Sequence, residues 1–128
     1  MIHYVFDLDD TLIVHQKGVP INYDMIIEDK ILKNLLENCR SECYIYTNGT
    51  FNHGLICLDK MNISNNFDKL IARDTINDLK PKFSSYRQFI KMTNIKSRDK
   101  CIFFEDNVDN LIQAKNFGWI TVLITKEN

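Results

Sequence analysis

The chain has 128 residues, 45% hydrophobic and 26% charged, with a formal net charge of −1. That length suits one domain around a single core, so residues 1–128 are read as one domain. The balanced charge excludes general attraction to nucleic acid or anionic lipid, and no apolar run approaches the roughly 18–20 residues of a membrane span. Because an apolar strand already starts at Ile2, no leader peptide is expected, and the chain reads as cytoplasmic.

Ile2, His3, Tyr4, Val5 and Phe6 read as a buried strand that runs into the carboxylates of Asp7, Asp9 and Asp10. Residues 12–23 form a connection with Gly18 and Pro20 and no helical period. From residue 25 to 39, Ile27, Ile31, Leu32, Leu35 and Leu36 recur at helical spacing, with Asp24 as the expected N-cap. Cys43 to Tyr46 is a second strand, stopped by Thr47, Asn48 and Gly49. A helix is expected over 51–61, and a short strand at Leu70, Ile71 and Ala72. Lys80-Pro81 opens a third helix through Phe83, Tyr86, Phe89 and Ile90. Cys101 to Phe104 is a fourth strand, ending at Glu105, Asp106 and Asn107. A fourth helix follows, closed by Gly118, and residues 120–124 form the last strand.

This alternation predicts an α/β fold: a three-layer, Rossmann-like domain with a five-stranded parallel sheet and helices on both faces. Cys43, Cys57 and Cys101 lie in apolar runs and read as reduced core residues. The spacing of His3, His15 and His53 offers no close His/Cys pairs for zinc.

Ligands of open α/β sheets bind beyond the carboxyl ends of the strands. Asp7/Asp9/Asp10, Thr47-Asn48-Gly49 and Glu105-Asp106-Asn107 fall at the ends of the first, second and fourth strands, with Lys80 shortly beyond the third. A carboxylate ionised at neutral pH attacks an electrophile without a partner base, which suits Asp7 as a nucleophile towards phosphorus. Its repulsion from a phosphate calls for Mg²⁺, held with Asp106 as a second carboxylate and Glu105 as an outer contributor. Asp9, two residues on, faces the same side as an acid/base. Thr47, Lys80 and the backbone amides around Asn48 and Gly49 are the expected phosphate binders.

These segments resemble the four motifs of the haloacid dehalogenase superfamily of phosphohydrolases: Asp7-Leu8-Asp9-Asp10-Thr11, Thr47-Asn48-Gly49, Lys80-Pro81, and residues 105–110. From Tyr46 to Thr125 the chain looks most like the pyrimidine 5′-nucleotidase-like branch, through Asn52-His53, Phe103-Phe104-Glu105-Asp106 and Gly118-Trp119. The resemblance implies Asp7 as nucleophile and Asp9 as general acid/base. Mg²⁺ would be bound by Asp7, the Asp9 backbone carbonyl and Asp106, with Asn110 in support. Thr47 and Lys80 would hold the phosphoryl group. Asp10 stands where the family often has glycine and is read as structural. Members of that branch carry a helical cap between the first two motifs, whereas one loop and one helix fill that interval here.

The expected activity is therefore that of a capless phosphatase acting on a nucleotide, another phosphometabolite or a macromolecular phosphate. The substrate itself, or a second copy in a homo-oligomer, would cover the opening. His15, Gln16 and Lys17 on the flap at residues 13–23 are the expected leaving-group contacts, and His53 reads as a polar residue on the side of its helix. A receiver-like phospho-acceptor would carry its acceptor Asp where Thr47-Asn48-Gly49 stands, and a silent binding module would have lost a motif; neither pattern is present.

Overall fold

A computed structural model, described over residues 1–125, has five parallel strands: β1 (Ile2–Phe6), β2 (Glu42–Tyr46), β3 (Lys69–Ile71), β4 (Lys100–Glu105) and β5 (Ile120–Leu123). Their order is β3-β2-β1-β4-β5, which puts β1 at the centre. The helices are α1 (Lys30–Glu37), α2 (Phe51–Lys60), α3 (Phe83–Thr93) and α4 (Val108–Asn116). This is the expected three-layer fold with a fully parallel sheet.

Alternation along the strands splits the core in two. Tyr44, Tyr46, Val5 and Phe103 pack with Tyr86 and Phe89 of α3 and with Leu111 and Ala114 of α4. Cys43 and Ile45 face the other way and pack with Leu36 of α1 and Cys57 and Leu58 of α2. The three cysteines expected in the core are buried, and all four cysteines are free thiols.

Most element ends fall within a residue or two of the sequence reading; α1 does not. It starts at Lys30 rather than 25, because Asp29 is its cap and accepts from the Leu32 amide at 3.0 Å. Upstream, Asn22 caps a single 3-10 turn at Tyr23–Met25, and Ile26 is extended. The apolar residues of this segment form two stripes, and a short helix presents only one to the sheet. Leu36 is buried and Leu32 packs beside it, whereas Ile27, Ile31 and Leu35 remain exposed. Pro81 lies just before α3 rather than inside its first turn. Gly118 follows the α4 cap Phe117 at φ +78°, the left-handed position expected of a terminating glycine.

Strand register sets the site. Phe6 pairs with Ile45 and Phe104, and Tyr46 with Ile71, so these strands end nearly level at one edge. The next residues continue the ladder: the Asp7 amide donates to Phe104 O at 2.9 Å and the Thr47 amide to Ile71 O at 2.9 Å.

Candidate active site

Asp7 leaves the central strand with its side chain almost buried. Its Oδ1 accepts from Lys80 Nζ at 3.1 Å and its Oδ2 from the Thr11 hydroxyl at 2.9 Å. The Lys80 ammonium also donates to Tyr46 O at 2.7 Å and to Glu105 Oε2 at 2.8 Å, which occupies its three N–H bonds. Lys80 is held from its own backbone as well. Asn48 Oδ1 accepts from the Lys80 amide and Asn48 Nδ2 donates to Lys80 O, both at 3.0 Å. The Asn48 side chain is thus engaged with Lys80 through both its oxygen and its nitrogen.

Asp7, Glu105 and Asp106 each bring a carboxylate oxygen within 4.8 Å of the others. Three carboxyl groups here face one ammonium, leaving a charge of −2 if all are ionised. Burial pushes the Asp7 carboxyl from 3.8 up to about 8, against the pull of Lys80, with Glu105 and Asp106 adding to the rise. The sequence reading takes Asp7 as ionised at neutral pH; burial here favours its neutral form, and the Lys80 ammonium its ionised one. The donors are all oxygen and their excess charge matches one divalent ion, so the residues fit a hard cation such as Mg²⁺.

The Asp9 carboxylate stands apart from that trio. His15 Nε2 lies 2.6 Å and His53 Nε2 2.9 Å from the same oxygen, Oδ1. His53 is itself oriented by Tyr23, whose hydroxyl is 2.8 Å from Nδ1. His53 therefore faces the site instead of lying passively on the side of α2. The loop returns His15 to Asp9 through a tight turn in which Leu8 O accepts from the amides of Thr11, Leu12 and Ile13. Asp10 supports that turn: it adopts φ +63° and its Oδ1 accepts from the His15 amide at 3.0 Å. A left-handed residue at this point explains why glycine would also suit it.

Thr47 is buried, and its Oγ1 accepts from the Gly49 amide at 3.0 Å, so that amide is engaged in the turn. A Cβ on Gly49 would lie 3.1 Å from His53 Cδ2 and 3.5 Å from Asp9 Oδ2. The contact with Asp9 is an ordinary one, whereas the His53 ring would have to give by a few tenths of an ångström. Asn110 lies buried on α4, where its amide meets the capping Asn107 and its carbonyl accepts from Tyr86. His3, by contrast, is remote from the site and bonds Asp99 and Tyr44.

The sequence profile of haloacid dehalogenase-like hydrolases matches residues 22–124. The chain belongs to that family. L-2-haloacid dehalogenase from Xanthobacter autotrophicus is 20% identical with a TM-score of 0.68, over 83% of this chain and 43% of that enzyme. The chain thus spans less than half the length of that relative. A Thermotoga maritima protein described as a candidate beta-phosphoglucomutase is 16% identical with a TM-score of 0.74, over 100% of this chain and 88% of its own. The core domain of a candidate phosphoglycolate phosphatase from Streptococcus pneumoniae is 15% identical with a TM-score of 0.66, over 97% and 80%. Between β1 and β2 the chain has one 3-10 turn and α1.

Thr11 is the site residue to which the sequence reading gave no role. Its hydroxyl bonds Asp7 and lies 3.5 Å from Asp106 Oδ1, tying the first and last motifs together. A hydroxyl four residues after Asp7 was the available signal. His15, expected on the flap as a leaving-group contact, reaches Asp9, and that contact had no local signal because it depends on how the loop folds back. Among the described residues no helix is long and apolar enough to cross a membrane.

Proposed function

We propose that the chain is a Mg²⁺-dependent phosphatase that hydrolyses a phosphomonoester through an aspartyl-phosphate on Asp7. The observation that carries this reading is the separation of the carboxylates. Asp7 shares an oxygen cluster with Asp106 and Glu105, while Asp9 is held outside it by two imidazoles. One carboxylate is thus available to attack and another to handle the proton.

Asp7, the Asp9 backbone carbonyl and Asp106 would hold Mg²⁺, which would neutralise phosphate charge and favour the ionised form of Asp7. An Asp7 oxygen forms a bond to phosphorus as the bond from phosphorus to the leaving oxygen breaks. The Asp9 carboxyl gives its proton to that leaving oxygen. Asp9 then takes a proton from water as the water oxygen attacks phosphorus, releasing phosphate and restoring Asp7. Lys80 fixes the angle of Asp7, and Thr47 with the Asn48 amide would meet the phosphoryl oxygens.

On the leaving-group side, an open groove of about 920 Å³ runs along the flap, lined by His15, Gln16, Val19, Met25 and Ile31. It would receive the rest of the substrate, and the substrate or a second copy of the chain would close it. The test is phosphate release from p-nitrophenyl phosphate with and without Mg²⁺, for the native chain and Asp7→Asn. Activity only in the native chain with Mg²⁺ supports the reading; equal rates in both proteins refute it.

A further inference from the structure

We propose that Asp9, His15 and His53 form a second cation site, selective for Zn²⁺ or a similar transition-metal dication over Mg²⁺. Two imidazole nitrogens and one carboxylate oxygen from three separate segments lie within 4.8 Å of one another. This donor set is one that holds zinc with a position left open, and nitrogen donors discriminate against Mg²⁺.

The approach distances fit. Zinc bonds of roughly 2.0–2.2 Å at tetrahedral angles separate donor atoms by about 3.3 Å. The observed separations from Asp9 Oδ1 are 2.6 Å to His15 and 2.9 Å to His53. Small side-chain rotations therefore open the cluster to a metal. Both Nε2 atoms lie within hydrogen-bond distance of one Asp9 oxygen, and His53 Nδ1 lies 2.8 Å from the Tyr23 hydroxyl. With a metal on Nε2, the ring proton sits on Nδ1 and donates to the Tyr23 oxygen. Tyr23 then acts as the outer partner that fixes a metal-binding histidine.

Access is also in place. The side chains of Asp9, His15 and His53 are 32%, 26% and 17% exposed, so an ion reaches them from solvent. Their neighbour Cys57 is fully buried and has its Sγ 3.8 Å from both His53 ring nitrogens, but that sulfur is not within 4.8 Å of all three donor atoms. The set is two imidazoles and one carboxylate.

The consequence, which rests on the phosphatase reading, is inhibition. A metal held on the Asp9 carboxylate removes the group that protonates the leaving oxygen, so micromolar zinc would stop a Mg²⁺-loaded enzyme. The binding itself does not depend on that reading.

The experiment is a Co²⁺ titration of the full chain in saturating Mg²⁺, read by ligand-field absorption, with Zn²⁺ as competitor. One Co²⁺ per chain, resistant to Mg²⁺ and displaced by Zn²⁺, is expected. In the double variant His15→Ala, His53→Ala its affinity should fall by at least about tenfold, with the circular dichroism spectrum retained. Asp7→Asn should bind Co²⁺ as the native chain does, even if neither protein releases phosphate, which separates failure of the two readings. Co²⁺ binding that Mg²⁺ abolishes, or that survives loss of both histidines, overturns the proposal.

Discussion

Replacing Asp7 with Asn should stabilise the metal-free chain, and by an amount that grows with pH. The folded chain holds a proton on Asp7 up to about 8, whereas a free aspartate loses it near 3.8. The contribution of this group to stability is therefore full below pH 3.8, falls as pH rises, and is lost above about 8. Each unit of that interval corresponds to 1.36 kcal/mol, so between pH 5 and pH 8 the native chain should lose about 4 kcal/mol relative to Asp7→Asn. That is a large part of the roughly 5–15 kcal/mol that holds a domain of this size together. The effect originates in burial, because Lys80 acts in the opposite direction. Urea unfolding of both proteins in EDTA, at pH 5 and pH 8, measures the difference directly. Adding Mg²⁺ at pH 8 should stabilise the native chain and leave Asp7→Asn nearly unchanged. A gap that stays constant within about 1 kcal/mol across these pH values would show that Asp7 is ionised in the fold, and the desolvation argument would fail.

Lys80→Met should cost about 3 kcal/mol or more at pH 8, because it strands the buried Asp7 and Glu105 carboxyls without their ammonium; urea midpoints check this, and a midpoint unchanged from native would refute it. Asp99 is held down at about 2, first by the Lys96 amide and then by His3. Its contribution is present above pH 3.8 and lost as pH falls towards 2, so native and Asp99→Asn unfolding midpoints should converge over that window and separate at pH 6. Gly49→Ala should lower turnover by about tenfold with little change in melting temperature, since the added methyl pushes on His53, which bonds Asp9, rather than on the core. Steady-state kinetics beside a melting curve distinguishes that outcome from simple unfolding.

Local pattern was enough for the order of strands and helices and for the edge where the polar residues gather. Cys43-Tyr44-Ile45-Tyr46 reads as a strand because nearly every residue on both faces is apolar, which only a sheet covered on both sides requires. The start of α1 was misread for a related reason. Periodicity in residues 25–36 registers apolar spacing but not which stripe meets the sheet, and the cap at Asp29 outweighed the pattern upstream of it.

Within the site, chain order alone brought Asp7, Thr47, Lys80 and Asp106 to one place, because parallel strands in register must end at a common edge. The tertiary structure decided how they share their work. Burial sets the proton on Asp7, a quantity that depends on what the fold packs around it and not on its neighbours in sequence. The three contacts of Lys80 come from three strand ends, so its role in ordering carboxylates appears only when those ends are assembled. The meeting of His15 and His53 on one oxygen of Asp9 follows from a loop folding back over α2. Sequence places side chains along a strand or helix by a fixed repeat, but a loop has no repeat, and its contacts exist only in three dimensions.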